Sequence, residues 1–251
     1  MRQVSTRSEE RRKARQGGGS DMTRFYWVLA AVAVVGMIVV GYGLSGGGSA
    51  ATEPVDLAGV EEDMGALISL AQGITLGDEN APLTIAEFGD YQCPGCREFS
   101  LGVKPQLDFA FVQKGLVKFV FYDFPLISIH AHAFLAARAS RCALDQGKYW
   151  EYHEALFTNQ SRWAGMSEVV GTFVGYAGEV GMDEDEFGTC LRSDKYADVV
   201  TANMRLAMEL GLTGTPTVMV SQGQGMARRV QRYDFPSIQA VVEEMLAQGG
   251  N

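Results

Sequence analysis

Hydrophobic residues follow three patterns along this chain. Residues 25–44 are uncharged over 20 consecutive positions, and at 1.5 Å of helix rise per residue such a run crosses about 30 Å of hydrocarbon. Residues 50–73 set Leu57, Val60, Met64, Leu67, Ile68 and Ala71 at roughly helical spacing, which predicts a short amphipathic helix. From residue 74 onward, short apolar runs alternate with helical ones. Residues 74–76 read as a short strand ending at Gly77-Asp78, and residues 83–88 as a second, largely buried strand. A helix is predicted over 94–114, stopped by Gly115, followed by a Val- and Phe-rich strand over 116–122. This is a βαβ unit.

Between His130 and Gly211 only helix signals occur. They include Ser167 ahead of a helix over 168–180, and Asp183 with Glu186 spaced as a capping box. A helical insertion over about residues 130–211 is therefore expected. After Thr215-Pro216 come a strand over 217–221, a turn through Gly223 and Gly225, a strand near 228–232 and a helix over 236–247. The fold class is α/β: a βαβ unit, a helical insertion and a ββα unit, preceded by the apolar run.

Charge changes the picture at the N-terminus. Residues 1–24 hold seven Lys/Arg against three Asp/Glu, so the rest of the chain carries −13 of the total −9. No Lys or Arg follows Arg24 until Arg97, and the positive-inside rule then keeps residues 1–24 in the cytoplasm and sends the body out. Residues 25–44 are read as a retained single-pass anchor in the cell membrane, longer than the h-region of a cleaved signal peptide. The rival is cleavage near Gly48-Ser49-Ala50 or Ser49-Ala50-Ala51. Gly-Gly-Gly-Ser at 17–20 and again at 46–49 reads as spacer. The expected organisation is a basic tail (1–24), a transmembrane helix (25–44), a linker with its amphipathic helix (45–73) and an α/β domain (74–248) that carries the helical insertion. So acidic a body, without a basic stripe interleaved with aromatics, argues against nucleic acid as a partner.

The chemistry centres on Cys93-Pro94-Gly95-Cys96, which follows a buried strand and opens a helix. Unpaired N–H groups and the helix dipole stabilise a negative charge there. Cys93 is expected to be the attacking thiolate, and Cys96, one turn further in, the thiol that resolves a mixed disulfide. Pro94 suits the first helical position, where a missing N–H costs nothing. The alternative is half of a zinc site, but neither the remaining Cys142 and Cys190 nor the three His offer a second ligand pair at a recognisable spacing. No metal or other cofactor is expected, because two cysteines carry the electrons themselves. His130, His132 and His153 show no metal spacing and are read as packed or surface residues.

The residues from Gly77 through Asp90-Tyr91-Gln92 to Cys96 resemble the opening of DsbA-like, thioredoxin-fold thiol:disulfide oxidoreductases. The likeness continues in Asp123-Phe124-Pro125-Leu126, in Gln146-Gly147-Lys148-Tyr149-Trp150-Glu151-Tyr152-His153 and in Gly211-Leu212-Thr213-Gly214-Thr215-Pro216-Thr217, and covers roughly residues 70–247. It implies a thioredoxin fold, a cis Pro216 beside Cys93, and a Thr215 backbone that pairs with substrate alongside Pro94 and Gly95. It implies that Glu87 is the acidic residue beneath the site, able to exchange a proton with Cys96; a solvated strand-edge acid is the alternative. It includes members with a second cysteine pair near Cys142 and Cys190, which outside the cytoplasm would form a structural bridge rather than stay free. Gly95 stands where many oxidising members carry a His. The implied partners are exported proteins with cysteines and a membrane redox protein that restores the Cys93–Cys96 bond. Oxidase is the first reading; reductase or isomerase of the same fold, or a non-catalytic binding module, are the others.

Overall fold

The computed structural model describes residues 51–60, 63–223 and 225–249, together with Trp27. The expected basic tail and the expected transmembrane run thus lie, Trp27 aside, outside the described residues. Among the described residues no helix is long and apolar enough to cross a membrane.

From residue 51 onward the chain forms one compact unit. Its elements are α1 (Met64–Leu70), β1 (Ile74–Leu76), β2 (Leu83–Gly89), α2 (Pro94–Glu98), α3 (Lys104–Leu107), β3 (Val117–Asp123) and α4 (Ala133–Cys142). They continue with α5 (Tyr149–Thr158), α6 (Gln160–Trp163), α7 (Val170–Glu179), α8 (Glu184–Arg192), α9 (Ala197–Glu209), β4 (Thr217–Gln222), β5 (Arg228–Arg229) and α10 (Phe235–Gly249). The five strands form one sheet in the order β1-β3-β2-β4-β5. β2 pairs parallel with β3 and antiparallel with β4, which leaves it central. A strand buried on both faces should be apolar throughout, and β2 is, apart from Thr84 and Glu87.

The period of two sorts the side chains by face. Leu83, Ile85 and Glu87 share a face with Val117, Phe119 and Phe121 of β3 and with Val218 and Val220 of β4. The apolar members of that set join the main core, with Phe99, Leu107, Ile238 and most of the insertion. Phe88 points the other way, to Phe124, Met204, Ala207 and Leu212. Leu57, Leu67 and Ala71 cover α9 at Ala202 and Leu206. So α1 uses only part of the expected apolar stripe: Met64 and Ile68 are exposed, and the helix is seven residues long, capped by Asp63.

Other expectations shift for local reasons. The helix expected over 94–114 is two α segments separated and followed by π turns, Phe99–Val103 and Asp108–Val112. Pro105, inside it, has no N–H to return to the preceding turn, and the helix widens there. Gly115 takes φ 68 in the turn beyond. α7 starts at Val170, with Val169 and not Ser167 at its N-cap. Asp183 does cap α8, accepting from Glu186 N at 2.8 Å, but its own N–H goes to Gln146 Oε1 at 2.8 Å. The reciprocal half of the expected box is therefore supplied by a residue distant in sequence. The strand expected over 228–232 shrinks to two residues, because Asp234 takes Arg232 at 2.8 Å and the Ser237 N–H at 2.9 Å, turning the chain into α10.

Candidate active site

Cys93 is the N-cap of α2, with φ −73 and ψ 124, and Pro94 is the first helical residue. β2 delivers the chain to this point, and a tight turn at 90–92 closes with the Cys93 N–H on the Asp90 carbonyl at 3.1 Å. Cys93 keeps 9% exposure and Cys96 none, and both thiols are free. The Thr215-Pro216 bond is cis. It brings the Thr215 carbonyl within 3.4 Å of Cys93 Sγ, which donates to it in the thiol form. The buried Thr215 hydroxyl makes no hydrogen bond with the thiol in this geometry, and it is the Thr215 group able to donate to a thiolate.

The two sulfurs are electrostatically unlike. The Cys93 thiol is lowered to about 5, first by the hydrogen bond from the Cys96 thiol, then by Thr215 and by the N–H groups of Cys96 and Gly95, against the cost of burial. The Cys96 thiol is pushed well above its usual range, chiefly by burial and also by its hydrogen bond to Cys93 and by Glu87. One thiolate is thus available near neutral pH, and it is the outer one.

Glu87 lies fully buried beneath the pair, and neither carboxyl oxygen has a hydrogen-bond partner. Burial raises its pKa well above the carboxylate range, partly offset by Lys104 and reinforced by Cys93. It is therefore a buried acid and not a strand-edge one. The Lys104 ammonium is held by Asp108 at 2.7 Å and lies 4.9 Å from the Trp150 ring centre.

A second ring of residues, invisible in the sequence as a group, clamps this turn to the insertion. The Asp90 carboxylate, fully buried, accepts from Gln92 N at 2.7 Å, Leu126 N at 2.8 Å and His130 Nδ1 at 2.7 Å. Its backbone N–H donates to Cys96 Sγ at 3.4 Å. The hydrogen bond to Asp90 raises the His130 pKa, and Cys93 adds to that. Gln160 Nε2 donates to both the Tyr91 and the Cys93 carbonyls, at 2.8 and 2.9 Å. The Tyr91 hydroxyl meets His153 Nδ1 at 2.8 Å, and His153 Nε2 meets Ser100 at 3.2 Å. Burial keeps His153 neutral by pushing its pKa well below the ordinary value. His132 instead binds the Met166 carbonyl at 2.7 Å, at the surface. The repeated aromatic and His positions of α5 were the one local signal that could have suggested such a cluster.

Cys142 and Cys190 are disulfide-bonded, joining the end of α4 to α8 with Cα atoms 5.9 Å apart. They take no part in the Cys93 site. Among the described residues, no three His, Cys, Asp or Glu side chains converge as metal ligands.

Comparison with known proteins adds to this geometry. A family model described as Thioredoxin matches residues 69–233. Disulfide bond formation protein D of Bacillus subtilis is 28% identical over 180 residues, which are 68% of this chain and 76% of that protein. A probable disulfide bond formation protein D of Bacillus cereus is 26% identical over 176 residues, 68% and 78% of the two chains. The Na(+)/H(+) antiporter NhaA 1 of Salinispora arenicola is 29% identical over 172 residues, but this chain spans only 24% of its length. Among solved structures, oxidised BdbD from Bacillus subtilis superposes with a TM-score of 0.62 at 26% identity, covering 69% of this chain and 92% of that one. The α-DsbA1 protein of Wolbachia pipientis gives 0.63 at 22% identity, covering 70% and 92%, a likeness of fold.

Proposed function

We propose, from the premise that this chain belongs to the thioredoxin family as a DsbA-like protein disulfide oxidoreductase, that it oxidises cysteine pairs of exported proteins through Cys93 and Cys96. The observation that carries this reading is the inequality of the two thiols: one lowered to about 5 at the mouth of the site, the other buried and raised. Anything that stabilises the Cys93 thiolate stabilises the reduced enzyme, and so makes its disulfide a better oxidant.

A substrate thiolate attacks Cys93 Sγ of the Cys93–Cys96 disulfide. A substrate–Cys93 bond forms and the Cys93–Cys96 bond breaks, and Cys96 leaves with the electron pair. Because Cys96 cannot remain charged in its pocket, it takes a proton, and Glu87 is the buried acid placed to give it. The second substrate thiolate then attacks its own mixed disulfide and expels Cys93, a good leaving group because its pKa is low. Two electrons have passed to the enzyme, and the substrate has lost two thiol protons. The Thr215 carbonyl and cis Pro216, with Pro94 and Gly95, form the surface on which the substrate chain lies.

Restoring the disulfide calls for a membrane redox partner. The basic 1–24 segment and uncharged 25–44 run support an anchored enzyme with its catalytic domain outside the cytoplasm, and the Cys142–Cys190 bond suits an oxidising compartment. The test is an equilibrium of the full chain against glutathione, with quantification of oxidised and reduced forms. A potential nearer about −120 mV than about −270 mV supports oxidation. A value at the reducing end would assign the site to reduction instead.

A further inference from the structure

Beside the thiol pair lies an open cavity of about 150 Å³ lined by Pro216, Thr217, Val218, Arg229, Val230 and Tyr233. Its connection to the reactive sulfur is visible at Gly95. A Cβ placed on Gly95 would lie 3.2 Å from Pro216 Cδ, 3.4 Å from the Tyr233 hydroxyl and 3.8 Å from Cys93 Sγ. Cys93, the cis-proline loop and Tyr233 therefore converge on one position that carries no side chain, and two of its neighbours, Pro216 and Tyr233, also line the cavity.

Among the described residues the cavity is lined by one cationic side chain, Arg229, and no acidic group pairs with it. Arg228 is paired with Glu244 at 2.7 Å and Arg232 with Asp234 at 2.8 Å. Arg229, between them, makes no ion pair among the described residues. Its Nη2 reaches the buried Thr217 Oγ1 at 3.5 Å, and that hydroxyl in turn donates to the Gly214 carbonyl at 2.8 Å. Arg229 is exposed, and this contact brings one end of its guanidinium to the strand residue that follows the cis proline. No Asp or Glu lines the cavity, although the chain as a whole is strongly acidic. A lone, oriented guanidinium in a negatively charged body selects a carboxylate through its paired donors and the local field.

We infer that the Arg229–Tyr233 cavity is a subsite for an acidic side chain within two residues of the substrate's cysteine. The inference rests on the disulfide-exchange reading above. It gives the enzyme a preference among substrates that the thiol pair alone does not supply: the carboxylate docks on Arg229, the Tyr233 hydroxyl offers a second donor, and the substrate cysteine is left over Cys93.

The test uses the oxidised full chain and three terminally blocked peptides with one cysteine each, carrying Glu, Gln or Lys in turn at the positions within two residues of it. Formation of the mixed disulfide is followed by acid quench and mass spectrometry. The Glu peptide should react about two- to five-fold faster than the Gln peptide, the range for a solvent-accessible ion pair, and the Lys peptide should be slowest. Arg229→Ala should level the three rates, Arg229→Glu should reverse their order, and Arg232→Ala should leave the order unchanged. Equal rates in the native protein, or an order that survives Arg229→Ala, would overturn the inference while leaving disulfide exchange intact. Failure of every peptide to react would instead remove the exchange reading, and this subsite with it.

Discussion

The Cys96 thiol is the largest single cause of the low pKa of Cys93, so Cys96→Ala should move that pKa by an amount the structure sets. A hydrogen bond to a charged group contributes about 1.5–3 kcal/mol, and about 1.4 kcal/mol corresponds to one pH unit. The Cys93 midpoint should therefore rise from about 5 to about 6–7. It should stop short of the ordinary thiol value of about 8.5, because Thr215 and the α2 N–H groups remain. Thiolate absorbance against pH gives the midpoints, and iodoacetamide labelling tests them by a second route. At pH 6 a thiol with a midpoint of about 5 is about 90% ionised, against about 0.3% for one at about 8.5. That advantage of about 300-fold is cut by the weaker nucleophilicity of a low-pKa thiolate, about 25- to 60-fold for a Brønsted slope of about 0.4–0.5. Cys93 should thus label about five to ten times faster than an ordinary thiol at pH 6, yet more slowly than one at pH 9. An unchanged midpoint in Cys96→Ala, a native midpoint near 8.5, or labelling of Cys96 ahead of Cys93 would refute the reasoning.

The same depressed pKa makes the stability of the reduced protein pH-dependent. Its contribution is full above the unfolded thiol value and is lost as pH falls through about 5, so the reduced form should gain on the oxidised one in urea midpoints as pH rises between those limits. Glu87 has the opposite sign: its raised pKa costs stability as pH rises above the unfolded carboxylate value. Glu87→Gln should therefore raise stability at pH 7 by about 1–3 kcal/mol, do less at pH 4, and slow the formation of mixed disulfides, the step in which Cys96 takes its proton; a destabilised variant with unchanged kinetics would contradict both roles. Replacing Cys142 and Cys190 together by Ala opens a loop with a sequence separation of 48, and should lower the denaturation free energy by up to about 4 kcal/mol without altering the Cys93 midpoint. A shift in that midpoint would mean that the bridge shapes the active site.

The thiol pair and the order of units were legible because each is local. Cys93 to Cys96 is one helical turn directly after an apolar strand, and the strands around it are short runs bounded by glycine and proline. The insertion could be recognised as helical, but its purpose could not, because the contacts it makes with the site join residues far apart. Asp90 meets His130 40 residues on, Tyr91 meets His153 after 62, and Gln160 returns to Cys93 after 67. None of these pairs has a spacing that periodicity or a motif would flag. The three histidines looked alike in the sequence, yet one is paired with Asp90, one is buried and neutral, and one binds a surface carbonyl. Where an expected local pairing failed, a tertiary group had taken its place, as Gln146 does for Glu186 at the Asp183 cap. Pro105 could have been read as a helix disturbance; the widening by π turns, rather than a stop, depends on how the rest of the segment packs.

Gly95 lies where the thiol pair, the cis-proline loop and Tyr233 meet. A cationic side chain there would add to the stabilisation of the Cys93 thiolate, and without one the stabilisation falls to the Cys96 thiol, Thr215 and the N–H groups of α2. The partly exposed His130, held by Asp90, has its pKa raised in part by Cys93, and it lies in sequence well beyond the pair. A side chain on Gly95 would also press on Pro216 and on Tyr233 at 3.2 and 3.4 Å, at the point where the cavity holding Arg229 opens. The bare position thus leaves space beside the sulfur, while hydrogen bonds from Cys96, Thr215 and the N–H groups of α2 hold its charge. Because none of Cys96, Gly95 and Thr215 lines the cavity, the lowered pKa and the open cavity do not compete for the same space.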